Sequence, residues 1–181
     1  MEKTKFVEGE KIYLRPFQSE DSALVYFGKN DEQIRETLFL FAPQTLEQVQ
    51  DEMKQWSTNS SFALFTICRK EDDVAVGQTA LVRIDFVSRA ATFYLAIYSP
   101  EFWSKGYGGE AAKMMLDYAF DILNLNRVLL HVCAENKNAV AAYKKAGYVM
   151  EGTLREAMYH HNRYVDFYVM SVLREEYYAK K

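Results

Sequence analysis

The chain of 181 residues predicts an α/β fold, a mixed and mostly antiparallel central sheet flanked by helices, on three observations. From Ser61 come three strand-like runs with turn signals between them, SFALFTICRK, VAVGQTALVRIDF and AATFYLAIY, which read as an antiparallel meander. Helical spacing then takes over at Ala111, Ala112, Met115, Leu116, Ala119, Phe120 and Leu123. Past that helix a strand, a short helix and two alternating runs end the chain, so the order β-α-α-β-β-β-α-β-α-β-β assembles into one mixed sheet.

A chain that is 49% hydrophobic and 15% aromatic is long enough to bury one substantial core, and the whole of 1–181 is expected to be one domain. A net charge of −3 with mixed signs leaves no basic stripe or polybasic tail, which disfavours nucleic acid and an anionic membrane as partners. Cys68 and Cys133 lie in apolar runs without the Cys/His spacing of a zinc site, so both are expected as buried free thiols. The start MEKTKFVEGEK has no apolar stretch of the signal-peptide kind, and no run of about 18 apolar residues occurs, so the expected compartment is the cytoplasm.

In chain order, Ile12 to Arg15 reads as the first strand, and Ser19 is placed to cap a helix with Ala23, Leu24 and Phe27 on one side. Thr45 and Gln48 form a capping box for a second helix through Val49, Met53 and Trp56. The run TLFLFAP before it is too apolar for an ordinary loop and is expected to line a pocket. Gly77 marks a bulge in the meander. Arg127 to Ala134 is the next strand, Ala139 to Ala146 a short helix stopped by Gly147, and HHNRY turns the last hairpin between TLREAMYHH and YVDFYVMSVL.

The stretch WSKGYGGEAAKMMLDYAF puts three glycines at the start of the amphipathic helix. A helix N-terminus offers unpaired N–H groups and the positive end of the macrodipole, and glycine lets an anion approach both. Gly106-Tyr107-Gly108-x-x-Ala111 fits a dinucleotide fingerprint, yet Ser99 to Lys105 separate it from its strand and the rest of the chain closes as a hairpin, which argues against that fold. The Gly-x-x-x-x-Gly-Lys-Ser/Thr order of a P-loop is absent. A tight turn alone accounts for one glycine and hardly for three.

Together, PEFWSKGYGGEAAKMMLDYAF and LLHVCAENKNAVAAYKKAGYVMEG resemble the two central motifs of the Gcn5-related N-acetyltransferases, the GNAT superfamily, whose members bind acetyl-CoA and acetylate amines. Within it the chain is most similar to the branch of ribosomal-protein N-terminal acetyltransferases and spermidine N-acetyltransferases, from IYLRPF to VDFYVMSVL. The resemblance implies the GNAT fold and assigns Lys105, Gly106, Tyr107, Gly108, Gly109 and Glu110 to the coenzyme pyrophosphate. Trp103 stands where the first motif commonly has Gln or Arg, and Ala139 where the second commonly has Ser. By the same likeness Asn136 bonds the pantetheine arm, Tyr143 lies near the thioester sulfur, and Leu95, Ala96 and Ile97 form the strand that pairs with pantetheine and offers an N–H to the oxyanion. The resemblance also admits a homodimer.

Acetyl transfer to an amine needs a stabilised tetrahedral oxyanion, a proton for the departing thiolate and a base for the amine. Tyr143 suits the proton donor, since a phenol of pKa ~10 protonates a thiolate whose thiol titrates near ~8.5 without itself ionising at neutral pH. A tyrosine merely packed on the sheet gives the same sequence. His131 is the base candidate, on the strand leading to Asn136, where some N-terminal acetyltransferases carry a glutamate base; the alternative is a strand histidine bonded within the core. Glu101 is a second base candidate or a solvated loop charge. His160 and His161, adjacent on a strand, are expected to point to opposite faces and not to share a metal; no metal site is expected.

For the acceptor, spermidine acetyltransferases carry an acidic pair before the corresponding proline and carboxylates on the central strands, whereas here Leu40, Phe41 and Ala42 precede Pro43 and Arg83 sits on the strand. A peptide N-terminal amine or a small amine with an apolar body suits Phe39, Leu40, Phe41 and Trp56 better than a polycation does. Polyamine acetylation and a non-catalytic acetyl-CoA-binding module are the alternatives.

Overall fold

The computed structural model describes residues 4–181. Strands β1 (Val7–Glu8) and β2 (Ile12–Pro16) are followed by α1 (Ser22–Asn30), α2 (Glu32–Leu38) and α3 (Leu46–Thr58), and the meander is β3 (Ala63–Arg69), β4 (Ala75–Asp85) and β5 (Ala90–Ile97). Helix α4 (Tyr107–Asp117), prolonged by a π-helical turn over Tyr118–Ile122, leads to β6 (Arg127–Cys133), α5 (Lys137–Ala146), the hairpin β7 (Val149–His160) and β8 (Arg163–Leu173), and α6 (Arg174–Ala179). The strands form one sheet in the order β1-β2-β3-β4-β5-β6-β8-β7. β5 and β6 run parallel and every other neighbouring pair is antiparallel. The mixed, mostly antiparallel sheet is therefore present, and the structure adds β1, α2 and α6, which sequence patterning did not predict.

Each sheet face carries its own apolar cluster. On one, Ile12, Leu14, Ile67, Phe93, Val128 and Leu130 pack under α4 with Ala111, Met115 and Phe120. On the other, Leu64, Ala80, Ala96 and Tyr98 pack under Val25, Ile34, Val49 and Met53 of the three opening helices. The Thr45–Gln48 capping box closes α3 as expected, with the Thr45 hydroxyl accepting from Gln48 N–H at 3.2 Å and Gln48 Oε1 accepting from Thr45 N–H at 2.8 Å. The bulge at Gly77 is also present, where the β3–β4 register slips between Ile67 and Cys68. Cys68 and Cys133 are buried free thiols.

The inward face of α1 differs from its expected one. Ala23 and Phe27 are exposed, and Ser22, Val25, Gly28 and Lys29 are buried. Gly28 sets this rotation: a methyl group there would fall under 3.0 Å from the fully buried Tyr98 ring, so the helix lies against the ring on its glycine side.

Candidate active site

The β5–β6 ladder joins Ala90, Ala91 and Thr92 to Arg127, Val128 and Leu129 and goes no further. Residues 93–97 therefore present an unpaired strand edge at a fork in the sheet. Amides alternate in direction along a strand, and the Tyr98 N–H donates to Val76 O at 2.9 Å. The Ala96 amide thus faces β4, while Leu95 and Ile97 turn theirs toward the fork. Ala96, assigned with them to pantetheine, offers it no free backbone group. Trp103, whose substitution for a polar residue left its role open, donates its indole N–H to Ile97 O at 3.1 Å and so occupies one of the fork's carbonyls.

Helix α4 begins beside this edge, with the Leu95 side chain 3.2 Å from where a Cβ on Gly108 would lie. Gly106, with φ of 91°, is its N-cap, a backbone shape that glycine adopts without strain. The first bond of the helix runs from Glu110 N–H to Gly106 O at 3.0 Å, so the N–H groups of Tyr107, Gly108 and Gly109 precede it. Glu110 itself is tied elsewhere. Its amide is inside the helix, and its carboxylate accepts from the N–H of Lys11 at 2.9 Å and of Ile12 at 3.4 Å, docking the β1–β2 turn onto the loop. A carboxylate held there is a structural tie, because it would repel an anion. The same tie brings in a residue that sequence reasoning missed: Lys11 reaches across the loop, its Nζ donating to Lys105 O at 3.3 Å. Lys105 is exposed beside it.

Asn136 caps α5, its Oδ1 accepting from Ala139 N–H at 3.0 Å, which leaves the side-chain NH2 for another partner. Tyr143, about two turns along α5, packs edge-on against Phe93 at 6.0 Å and Tyr148 at 5.8 Å. Burial, and secondarily the Tyr94 phenol across the fork, pushes the Tyr143 hydroxyl up to about 12.

On the opposite face of the fork, His131 lies two residues past Leu129 on β6, as Tyr94 lies two past Thr92 on β5, so the parallel register puts both side chains on the side of α1 and α3. His131 is exposed, across from Val169 of β8. It is a surface residue of the fork and not a bonded core histidine. Tyr94 packs edge-on against Trp56 at 5.5 Å. Sequence reasoning missed Tyr94 as well; its signal was the alternation that sets it on the opposite face from Leu95. Glu101 is a loop charge whose carboxylate accepts from the Ser99 hydroxyl at 3.1 Å.

Phe39, Leu40 and Phe41 line a cleft of about 430 Å³ between the end of α2 and the β7–β8 turn, as expected of that apolar run. Phe39 packs on Phe167 at 4.9 Å and on His160 at 4.8 Å. The two turn histidines do not point to opposite faces. His161 has left the strand at φ of 49°, and the rings meet at 4.0 Å, with His161 Nε2 3.5 Å from Glu36. Among the described residues no group of three or more His, Cys, Asp or Glu is placed to hold a metal ion. Arg83 is exposed in the β4 bulge, near the closed end of the fork.

The family model described as "Acetyltransferase (GNAT) domain" matches residues 11–149. Spermidine N(1)-acetyltransferase of Escherichia coli (strain K12) is 30% identical over 169 residues, covering 93% of this chain and 89% of that protein. The enzyme of the same name from Vibrio cholerae serotype O1 is 38% identical over 102 residues, covering 56% of this chain and 58% of that one. The crystal structure of spermidine N-acetyltransferase from Vibrio cholerae in complex with CoA and spermine superposes with a TM-score of 0.87 at 27% identity, over 94% of this chain and 99% of that one. With the forked sheet, the glycine-capped helix and these matches agreeing, the chain belongs to the GNAT acetyltransferase family and is an acyltransferase that moves an acetyl group from acetyl-CoA to an amine.

Proposed function

We propose that residues 1–181 act as one cytoplasmic acetyltransferase domain whose acceptor is a peptide N-terminal amine or a small amine with an apolar body. The N–H groups of Tyr107, Gly108 and Gly109 receive the coenzyme pyrophosphate, with Lys105 and Lys11 as flanking cations. The Asn136 NH2 and the Leu95 edge hold the pantetheine arm in the manner of an added strand, and the N–H of Leu95 or Ile97 meets the oxyanion. Acetyl-CoA supplies the activated acyl group. His131 takes a proton from the amine as it bonds to the acyl carbon, the carbon–sulfur bond breaks, and Tyr143 delivers its proton to the sulfur, all within one ternary complex.

What carries the acceptor reading is the state of the carboxylates around the fork. Glu52 is ion-paired with Lys29 and Glu135 is doubly bonded to Arg163 at 2.5 and 2.7 Å, whereas aromatic surface from Trp56, Tyr94 and Phe39 stands free of such pairing. A polycation entering beside Glu52 and Glu135 would shed water without gaining a free carboxylate, while Glu36 of the α2 cleft stands 3.5 Å from His161. The second reading, a polyamine acceptor, draws on the full-length similarity to spermidine acetyltransferases. Thiol release measured across peptides, small amines and polyamines separates the two: kcat/KM is expected to be higher for a peptide or apolar amine, and much faster turnover of spermidine would replace the first reading with the second. Two buried free thiols accord with a reducing compartment, and the exposed Val149, Leu154 and Tyr159 on the outer strand β7 accord with a homodimer.

A further inference from the structure

Behind the acceptor side of the fork, Met53, Gln78 and Tyr98 are sealed from solvent at 1%, 1% and 0% exposure, and the hydrogen bonds among them have only one direction. A thioether sulfur accepts and never donates, so the edge of Gln78 facing Met53 Sδ at 3.4 Å is its NH2. The opposite edge, Oε1, is an acceptor and takes the Tyr98 hydroxyl proton at 3.1 Å. With its proton committed there, the Tyr98 oxygen is the acceptor in its 3.2 Å contact with the Tyr94 hydroxyl. The Tyr94 proton therefore points inward. A lone pair of the Tyr94 oxygen is then left to accept from another partner.

Tyr94 is half-buried, stands just past the end of the β5–β6 ladder and shares its face of the sheet with His131. Burial pushes its phenol up to about 12, with the Glu52 carboxylate adding to the rise, so it remains a neutral acceptor at ordinary pH. We propose that Tyr94 is an amine-binding residue whose oxygen accepts a hydrogen bond from the incoming amine, with Gln78 and Tyr98 as positioning residues that fix its direction. The inference rests on the acetyl-transfer reading and narrows the acceptor class. A primary amine has two N–H groups, one for Tyr94 and one for His131, while its lone pair attacks. A secondary amine has one and loses a partner.

The test uses Tyr94→Phe, which keeps the ring packed on Trp56, together with Tyr98→Phe, which releases the inward proton. Acetyl-CoA affinity is measured by calorimetry, and kcat and KM are measured for the best primary amine from the acceptor panel and for its N-methyl derivative. Tyr94→Phe is expected to raise the amine KM about tenfold, the loss of one hydrogen bond in a desolvated site, with acetyl-CoA affinity unchanged. The preference for primary over N-methyl amine is expected to shrink, and Tyr98→Phe to show part of both effects. Unchanged amine KM and preference in Tyr94→Phe would overturn the inference. So would a loss confined to acetyl-CoA affinity and melting temperature, which marks a packing role. If the wild type transfers to no amine at all, the acetyl-transfer reading falls and this inference with it; an active wild type that Tyr94→Phe matches overturns the inference alone.

Discussion

Replacing Tyr143 by phenylalanine is expected to lower kcat by about a hundredfold or more, the ordinary contribution of a placed general acid, while acetyl-CoA affinity stays within about twofold of wild type. The split follows from the surroundings of the side chain. Its ring fills a gap between Phe93 and Tyr148, and phenylalanine keeps that packing, so only the hydroxyl is lost. The pH profile sharpens the prediction. The neutral phenol is the form that donates, and burial followed by the nearby Tyr94 phenol raises its pKa to about 12, which keeps it neutral. Loss of rate through its ionisation therefore shifts upward from the usual ~10. Thiol release measured across pH should show no alkaline decline below about pH 10 that is absent from the variant; such a decline would mean that the hydroxyl is solvated and not poised over the fork.

Asp21→Asn is expected to destabilise the fold by about 3–5 kcal/mol, the usual consequence of removing one partner from a buried ion pair. Arg15 and Asp21 are 3% and 6% exposed. Their side chains form two parallel bonds of 2.8 and 2.7 Å, and the same carboxylate accepts from Thr66 Oγ1 at 2.7 Å and from Gln18 N–H at 2.9 Å. The pair fixes the start of α1 to β2 and β3, so its loss should lower the melting temperature by roughly 10 °C. Burial alone would raise the pKa of Asp21, but the bonds from Arg15, Thr66 and Gln18 outweigh it and hold the carboxyl below its ordinary range. A depressed carboxylate contributes its full stability above the unfolded value of about 3.9 and loses it as pH falls through the folded value. Thermal melts between pH 7 and pH 2.5 should accordingly show the gap between wild type and Asp21→Asn narrowing only below about pH 4. A double replacement, Arg15→Met with Asp21→Leu, should recover part of the loss, because neither partner is then left buried and charged.

The parts of this fold that were legible in the sequence are those in which a short pattern has one physical outcome. The Thr45–Gln48 box can only start a helix, Gly147 with φ of 109° can only end one, and three strand-like runs between turn signals make a meander. Helix α1 was misread because its inward side is set by a glycine against a tyrosine seventy residues away, a contact with no local signature. The candidate site divides in the same way. The glycine loop, Asn136 and Tyr143 are carried by contiguous motifs. Lys11 reaches the loop because Glu110 docks the β1–β2 turn there, and Tyr94 borders the fork because the ladder stops at Thr92; both depend on tertiary register. Ala96 was grouped with its neighbours because backbone direction along a strand cannot be phased from side chains. The histidine pair was taken as strand, whereas a left-handed turn residue at His161 brings the rings together.

The most direct test of the account is the crystal structure of this chain with acetyl-CoA bound. The pyrophosphate is expected on the N–H groups of Tyr107, Gly108 and Gly109 with Lys11 beside it, the pantetheine arm along the Leu95 edge of β5, and the sulfur within hydrogen-bond reach of the Tyr143 hydroxyl. Coenzyme lodged instead in the cleft between α2 and the β7–β8 turn, or a Tyr143 hydroxyl directed away from the sulfur, would contradict it.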